Sequence, residues 1–234
     1  MHIPDGYLSP QTCLAMWGVM LPIWAKAANK VKQTLRVEQV PLLSMGAAFS
    51  FIIMMFNVPI PDGTTGHAVG GTLLAIILGP WAAVIGISVA LIMQALLFGD
   101  GGVLAIGANC FNIGVALPFV GYYVYKLISG NALAGSTRQV VAAGVAAYIA
   151  INVAGLLTGL ELGLQPLLFK AADGTPLYNP YSLYQALPAM ALAHFTIAGM
   201  VEAIVTASVF MCLHKTEPGL LALYSTSSLS KGGS

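Results

Sequence analysis

Apolar residues run along this chain in long blocks, separated by short bursts of Gly, Pro, Asn and Asp. Blocks at about 10–28, 40–56, 67–79, 80–98, 103–126, 139–160 and 187–213 predict seven helical spans. The third and fourth lie in one apolar block divided only by Gly79-Pro80. Proline opposes a continuous helix, so a tight turn is expected there. From His67 to Gly79 is 13 residues, about 20 Å of helix at 1.5 Å per residue. The hydrocarbon core is about 30 Å thick, so the third span crosses only if its outer end starts below the surface. The preceding loop, Asn57-Val58-Pro59-Ile60-Pro61-Asp62-Gly63-Thr64-Thr65-Gly66, must then dip inward. A bilayer tolerates such backbone only when it is buried in protein or lines a cavity. Short segments broken by Gly and Pro are also sequence pointers to a transporter's binding site.

Composition narrows the class. The 234 residues are 58% hydrophobic and 7% charged, where a soluble domain carries about 25% charge. Nine basic and eight acidic side chains cannot coat a soluble surface of this size. That excludes a free cytosolic enzyme and a disordered chain, and a net charge of +1 offers nucleic acid no basic field. The expected fold is an all-α polytopic membrane protein: one transmembrane domain over 1–216, then a Ser/Gly-rich stretch, 217–234, read as a flexible cytoplasmic tail or an expression remnant. Cys13, Cys110 and Cys212 lie in apolar stretches without a close-spaced pair and read as small buried hydrophobes. Walker A, HExxH and CxxC patterns are absent, so a pump built on this chain would draw its energy from a partner.

Charge sets the expected orientation. Lys26, Lys30, Lys32, Arg36, Lys126, Arg138, Lys215 and Lys231 fall on one side of a seven-span arrangement, and only Lys170 on the other. The side rich in Lys and Arg is the cytoplasm, which puts the N-terminus outside and the C-terminus inside. Asp5, Asp62, Asp100, Glu161 and Asp173 mirror this on the outer side. The opening Met1-His2-Ile3-Pro4-Asp5-Gly6 has no basic residue and carries an acid, unlike a secretory signal, so it is expected to stay.

Those first residues also carry the most specific chemistry. Bulky His2 discourages removal of Met1, whose amine should then be free. That amine, the backbone nitrogen of His2 and its imidazole Nδ1 can close a five-membered and a six-membered chelate ring on one ion. Nickel(II) and copper(II) favour such flat nitrogen coordination, whereas calcium and magnesium prefer oxygen. A second imidazole could fill the fourth corner, and His67, at the bottom of the dipping loop, is the candidate. The alternatives are a solvated terminal His2 and a structural His67. The turn-like Pro4-Asp5-Gly6-Tyr7 favours folding residues 1–6 back into the bundle.

Other polar residues sit near the outer ends of spans: Asp62 in the loop, Gln94 and Asp100 after the fourth span, and Asn109 and Asn112, three apart on one helix face. They are candidates to support the metal loop from behind, although buried amides also serve as plain glue between helices. His194 and Glu202, eight apart on the seventh span, share a face. Their midspan position suggests an internal hydrogen-bonded pair or a partner contact rather than ligands.

Read together, Met1-His2-Ile3-Pro4-Asp5-Gly6-Tyr7-Leu8-Ser9-Pro10, the loop from Asn57 to His67, Leu78-Gly79-Pro80-Trp81, Phe98-Gly99-Asp100-Gly101-Gly102 and Gly107-Ala108-Asn109 resemble the NikM/CbiM family. These are the nickel/cobalt substrate-binding components of energy-coupling-factor transporters. The likeness is strong over roughly the first 120 residues and continues in pattern through His194 and Glu202. It implies a seven-helix bundle, a six-helix core with one extra N-terminal helix, in a prokaryotic plasma membrane. It implies nickel(II) or cobalt(II) as bound substrate rather than a cofactor, held by Met1, His2 and His67. It also implies partners: a transmembrane coupling protein, two ATPase subunits and often a further small membrane subunit. Pro4-Asp5 looks like the nickel branch, since the cobalt branch more often has Met-Glu there. Asp62 departs from the family's usual Gly, which adds local charge without touching the ligand positions. A passive channel would need weak, multiple sites, and a metalloenzyme an open water position and a base; neither fits a saturated chelate.

Overall fold

The computed structural model describes residues 1–133 and 135–217; the tail expected over 217–234 lies outside these except for Glu217. Seven helical rods follow one another: α1 (Pro10–Thr34), α2 (Val37–Met54), α3 (Gly71–Leu78), α4 (Pro80–Phe98), α5 (Ile106–Ser129), α6 (Thr137–Leu168) and α7 (Leu183–Thr216). Five of them, α2 and α4 to α7, are long and apolar enough to cross a membrane, which makes this a multi-pass membrane protein. Ser9 starts α1 by accepting a hydrogen bond from the Thr12 N–H at 3.0 Å, with Pro10 at the first helical position, where its missing N–H costs nothing.

The third apolar block yields the shortest helix. α3 holds eight residues, about 12 Å of rise, shorter than the 13 expected. All eight are buried, because α2, α4, α5, α6 and α7 all pack around it. Gly79 ends it at φ +88° and Pro80 opens α4, so the break expected at Gly79-Pro80 is a one-residue turn. The loop before α3 does run inward: Gly66, His67, Ala68, Val69 and Gly70 are all buried. It also contains an antiparallel pair not foreseen in the sequence, β1 (Val58–Pro59) with β2 (Thr65–Gly66), in the register Val58 opposite Gly66.

Two further differences concern span ends and one cysteine. α6 and α7 reach 32 and 34 residues, beyond the expected 139–160 and 187–213. α6 runs on through Gln165, whose Oε1 accepts from the Ser9 N–H at 2.9 Å, and α7 starts early at a capping box between Ser182 and Gln185. Cys13 and Cys110 are buried as expected, whereas Cys212 is exposed on α7.

α1 lies against α4 and α5. Trp24 Nε1–H donates to Ser88 Oγ at 2.9 Å and Trp17 Nε1–H to the Leu104 carbonyl at 3.0 Å. Close approach depends on Gly107, where a Cβ would stand 2.7 Å from the Trp17 backbone nitrogen.

Candidate metal centre

Residues 1–9 are threaded into the bundle by polar contacts with three other segments. Asn109 grips Ile3 twice: Ile3 N–H donates to its Oδ1 at 2.8 Å, and its Nδ2 donates to the Ile3 carbonyl at 3.1 Å. Gly102 N–H donates to the same carbonyl at 2.8 Å. The Asp5 carboxylate accepts from the N–H groups of Val103 and Leu104, both at 2.9 Å. Ser9 N–H donates to Gln165 Oε1 at 2.9 Å and Asn179 N–H to the Tyr7 carbonyl at 3.1 Å. Met1, His2 and Ile3 are thereby left at 0%, 3% and 0% exposure. Gly101, at φ +88°, closes over them: a Cβ there would stand 3.1 Å from Asn109 Nδ2 and 3.4 Å from His2 Cδ2.

The terminal amine of Met1 donates to the carbonyl of Thr65 and, at 3.0 Å, to its Oγ1. Thr65 belongs to β2, two residues before His67. The His2 and His67 rings stack with centroids 4.6 Å apart and planes at 27°. The structure therefore brings Met1, His2 and His67 into one buried place.

Hydrogen bonds settle which ring nitrogens are free. Gln94 Nε2 donates to the Phe51 carbonyl at 3.1 Å, which turns its Oε1 toward His2 Nε2 at 3.1 Å. An amide oxygen only accepts, so His2 carries its proton on Nε2 and leaves a lone pair on Nδ1. That atom is buried without a hydrogen-bond partner; Asp100 Oδ1 lies 3.5 Å away. In the same way His67 Nδ1–H donates to the Ala68 carbonyl at 3.1 Å, and Nε2 is left buried and unpartnered. Two lone pairs in an apolar interior, each without a donor, are the arrangement that a Lewis-acidic cation would satisfy.

Burial also strips protons from the N-terminal donors. Desolvation lowers the Met1 amine from 8.0 to about 4, against an opposing pull from Asp100. Desolvation, then the charge of the amine, lowers His2 to about 3. Near neutral pH both nitrogens stand unprotonated, so the approach of Asp100 to His2 is a contact with a neutral ring, not a salt bridge. Burial raises Asp100 above the usual carboxylate range, and Asn57 Nδ2 donates to its Oδ2 at 3.2 Å.

Of the residues read as supports, Gln94, Asp100 and Asn109 meet the N-terminal segment. Asp62 and Asn112 do not. Asp62 is exposed in the loop turn at φ +58°. Asn112 Nδ2 instead donates to Glu161 Oε2 at 2.8 Å, between α5 and α6. His194 and Glu202 do not form the internal pair that their shared face suggested: His194 Nδ1–H donates to the Met190 carbonyl at 2.7 Å, and Glu202 reaches the His67 loop. Asp5 and Thr65 were not singled out as site residues. Asp5 carried a signal in its place within the opening turn, whereas Thr65 carried none. Among the described residues no cluster of three or more His, Cys, Asp or Glu is poised for a metal.

Residues 2–220 match the family described as cobalt uptake substrate-specific transmembrane region. The chain belongs to this family. It is 53% identical over 222 residues to the fused nickel transport protein NikMN of Rhodobacter capsulatus, covering 95% of this chain and 64% of that protein's length. It is 32% identical over 226 residues to the cobalt transport protein CbiM of Geobacter sulfurreducens, covering 95% of this chain and 62% of that one. The chain thus spans a little under two thirds of each of these two relatives. A crystal structure of a transition metal transporter superposes with a TM-score of 0.89 at 52% identity, over 99% of this chain and 100% of that one.

Proposed function

We propose that this CbiM-family chain is the substrate-binding component of an energy-coupling-factor importer, and that it captures nickel(II) from the outer side. The observation that carries the reading is the pair of buried, unpartnered nitrogens, His2 Nδ1 and His67 Nε2, beside the buried amine of Met1. With the deprotonated amide nitrogen of His2 they make four nitrogens, a set that suits flat nickel(II) coordination. Cobalt(II) is the second reading, favoured by the family description; the higher identity to a nickel transport protein favours nickel.

In this account seven spans cross a prokaryotic plasma membrane with the N-terminus outside. The chain has no nucleotide-binding motif, so a transmembrane coupling protein and two ATPase subunits, with a small accessory membrane subunit in some assemblies, would drive release inward. The chain itself performs no chemistry on its substrate. The test is nickel uptake by cells or vesicles carrying this chain with and without a coupling protein and ATPases. Uptake should require ATP and be lost when His2 or His67 is replaced by Ala. ATP-independent flux through this chain alone would instead mark a channel.

A further inference from the structure

α7 runs alongside the loop that carries His67. Thr64 Oγ1 lies 3.9 Å from Met190 Sδ, and a Cβ on Gly66 would stand 3.8 Å from that of Ala198. Beyond these, the Glu202 carboxylate accepts from the Val69 N–H at 2.6 Å and from the Gly70 N–H at 3.0 and 3.1 Å. Glu202 is 0% exposed, and among the described residues no Lys or Arg forms a salt bridge with it. A carboxylate held so deep in a membrane protein is costly and points to a function.

The local backbone explains its use. α3 begins at Gly71 with Gly70 as its cap residue, at φ +73° and without a capping side chain. A helix start leaves N–H groups unpaired, and a Ser, Thr, Asn or Asp side chain ordinarily takes one of them. None fits here, since a Cβ on Gly70 would stand 2.7 Å from Phe49 Cε1. Glu202 instead reaches across from α7 and takes the N–H of the cap residue Gly70 and that of Val69 before it, 132 and 133 residues away, and a carboxylate there suits the positive end of the α3 dipole.

We infer that Glu202 is a positioning residue for His67. By capping α3 from α7 it fixes the chain two residues beyond His67, and so sets where His67 Nε2 stands against His2. This rests on the reading of His67 as a metal ligand.

The experiment is a nickel(II) titration of the purified full chain, read by affinity and by absorption spectrum, for wild type, Glu202→Gln, His67→Ala and the double variant. Gln keeps the size and turns an amide NH2 toward backbone donors. Glu202→Gln is expected to weaken binding about 10- to 100-fold, as the loss of a ligand-orienting partner does elsewhere, and to move the spectrum toward that of His67→Ala. In the His67→Ala background it should change affinity less than about twofold, the non-additivity of residues acting through one another. If Glu202→Gln does not fold, Glu202→Asp, which keeps the charge with a shorter reach, carries the same comparison. Wild-type affinity and spectrum for the Glu202 variant, or an equal loss in both backgrounds, would overturn the inference while leaving the four-nitrogen reading intact. Binding that is indifferent to His67→Ala would overturn that reading and this inference with it.

Discussion

His2 and His67 stack 4.6 Å apart, each with one ring nitrogen held by a neighbour and the other left bare inside the protein. Neither free lone pair is an accident of one side chain. Each follows from an acceptor, Gln94 Oε1 or the Ala68 carbonyl, that forces the proton onto the opposite nitrogen.

Removing one of the two bare nitrogens should therefore remove tight binding. His67→Ala leaves three nitrogens with an open corner, and His2→Ala leaves the amine and amide without the imidazole. Losing a direct ligand should cost at least the about 100-fold seen for strong supporting partners. Isothermal titration with nickel(II) measures it; a loss under tenfold for both variants contradicts the proposed ligand set.

Gln94 acts on the tautomer rather than on the metal. Gln94→Ala frees His2 to carry its proton on either nitrogen and to turn. Nickel affinity should fall about 10- to 100-fold, together with a stability loss of about 1–3 kcal/mol because the Phe51 carbonyl and the His2 N–H lose their partner. An affinity unchanged within twofold would show that the ring needs no such guide.

Asn109 should couple stability to binding. Asn109→Ala leaves the buried Ile3 N–H without an acceptor, at a cost of about 1–3 kcal/mol, and loosens the segment that carries the amine. A lower melting temperature in detergent and weaker nickel binding should appear together. Asn109→Asp keeps the acceptor but loses the donor to the Ile3 carbonyl, so it should fall between wild type and Ala.

The pH dependence of binding separates preformed from ordinary donors. With the amine held at about 4 and His2 at about 3, neither carries a proton for the metal to displace above about pH 5. The only proton released from the N-terminal chelate near neutrality is that of the His2 amide. The logarithm of the binding constant should then rise by about one per pH unit between pH 6 and 8. Donors at ordinary values near 8 and 6.5 would make the slope approach three toward pH 6.

Much of this was legible in the sequence because the signals are local. Hydropathy marked the seven blocks, Gly79-Pro80 marked the break, and the short third block forced the loop before it to dip. His2 stood out because an amine, an amide and an imidazole are adjacent in any chain that begins this way. Asn109 and Gln94 were visible only as buried amides, since nothing in a linear sequence says whether an amide meets a helix or a ligand. Glu202 was flagged as an acid within a span, yet it was matched to His194 on its own face when its partners lie 132 and 133 residues away. Thr65 and Asp5 act through backbone geometry that exists only after β2 and the 100–104 turn have formed. The long α6 and α7 escaped because their ends rest on polar contacts outside the apolar blocks, Gln165 with Ser9 and Ser182 with Gln185.

The central claim is that the free amine at Met1 is a ligand. It is tested most directly by adding a single residue ahead of Met1 and measuring nickel(II) stoichiometry and spectrum. The unextended protein should bind one nickel(II) per chain with the diamagnetic spectrum of flat coordination, and the extended protein should lose both. One tightly bound nickel(II) with the same spectrum in the extended protein would contradict the account.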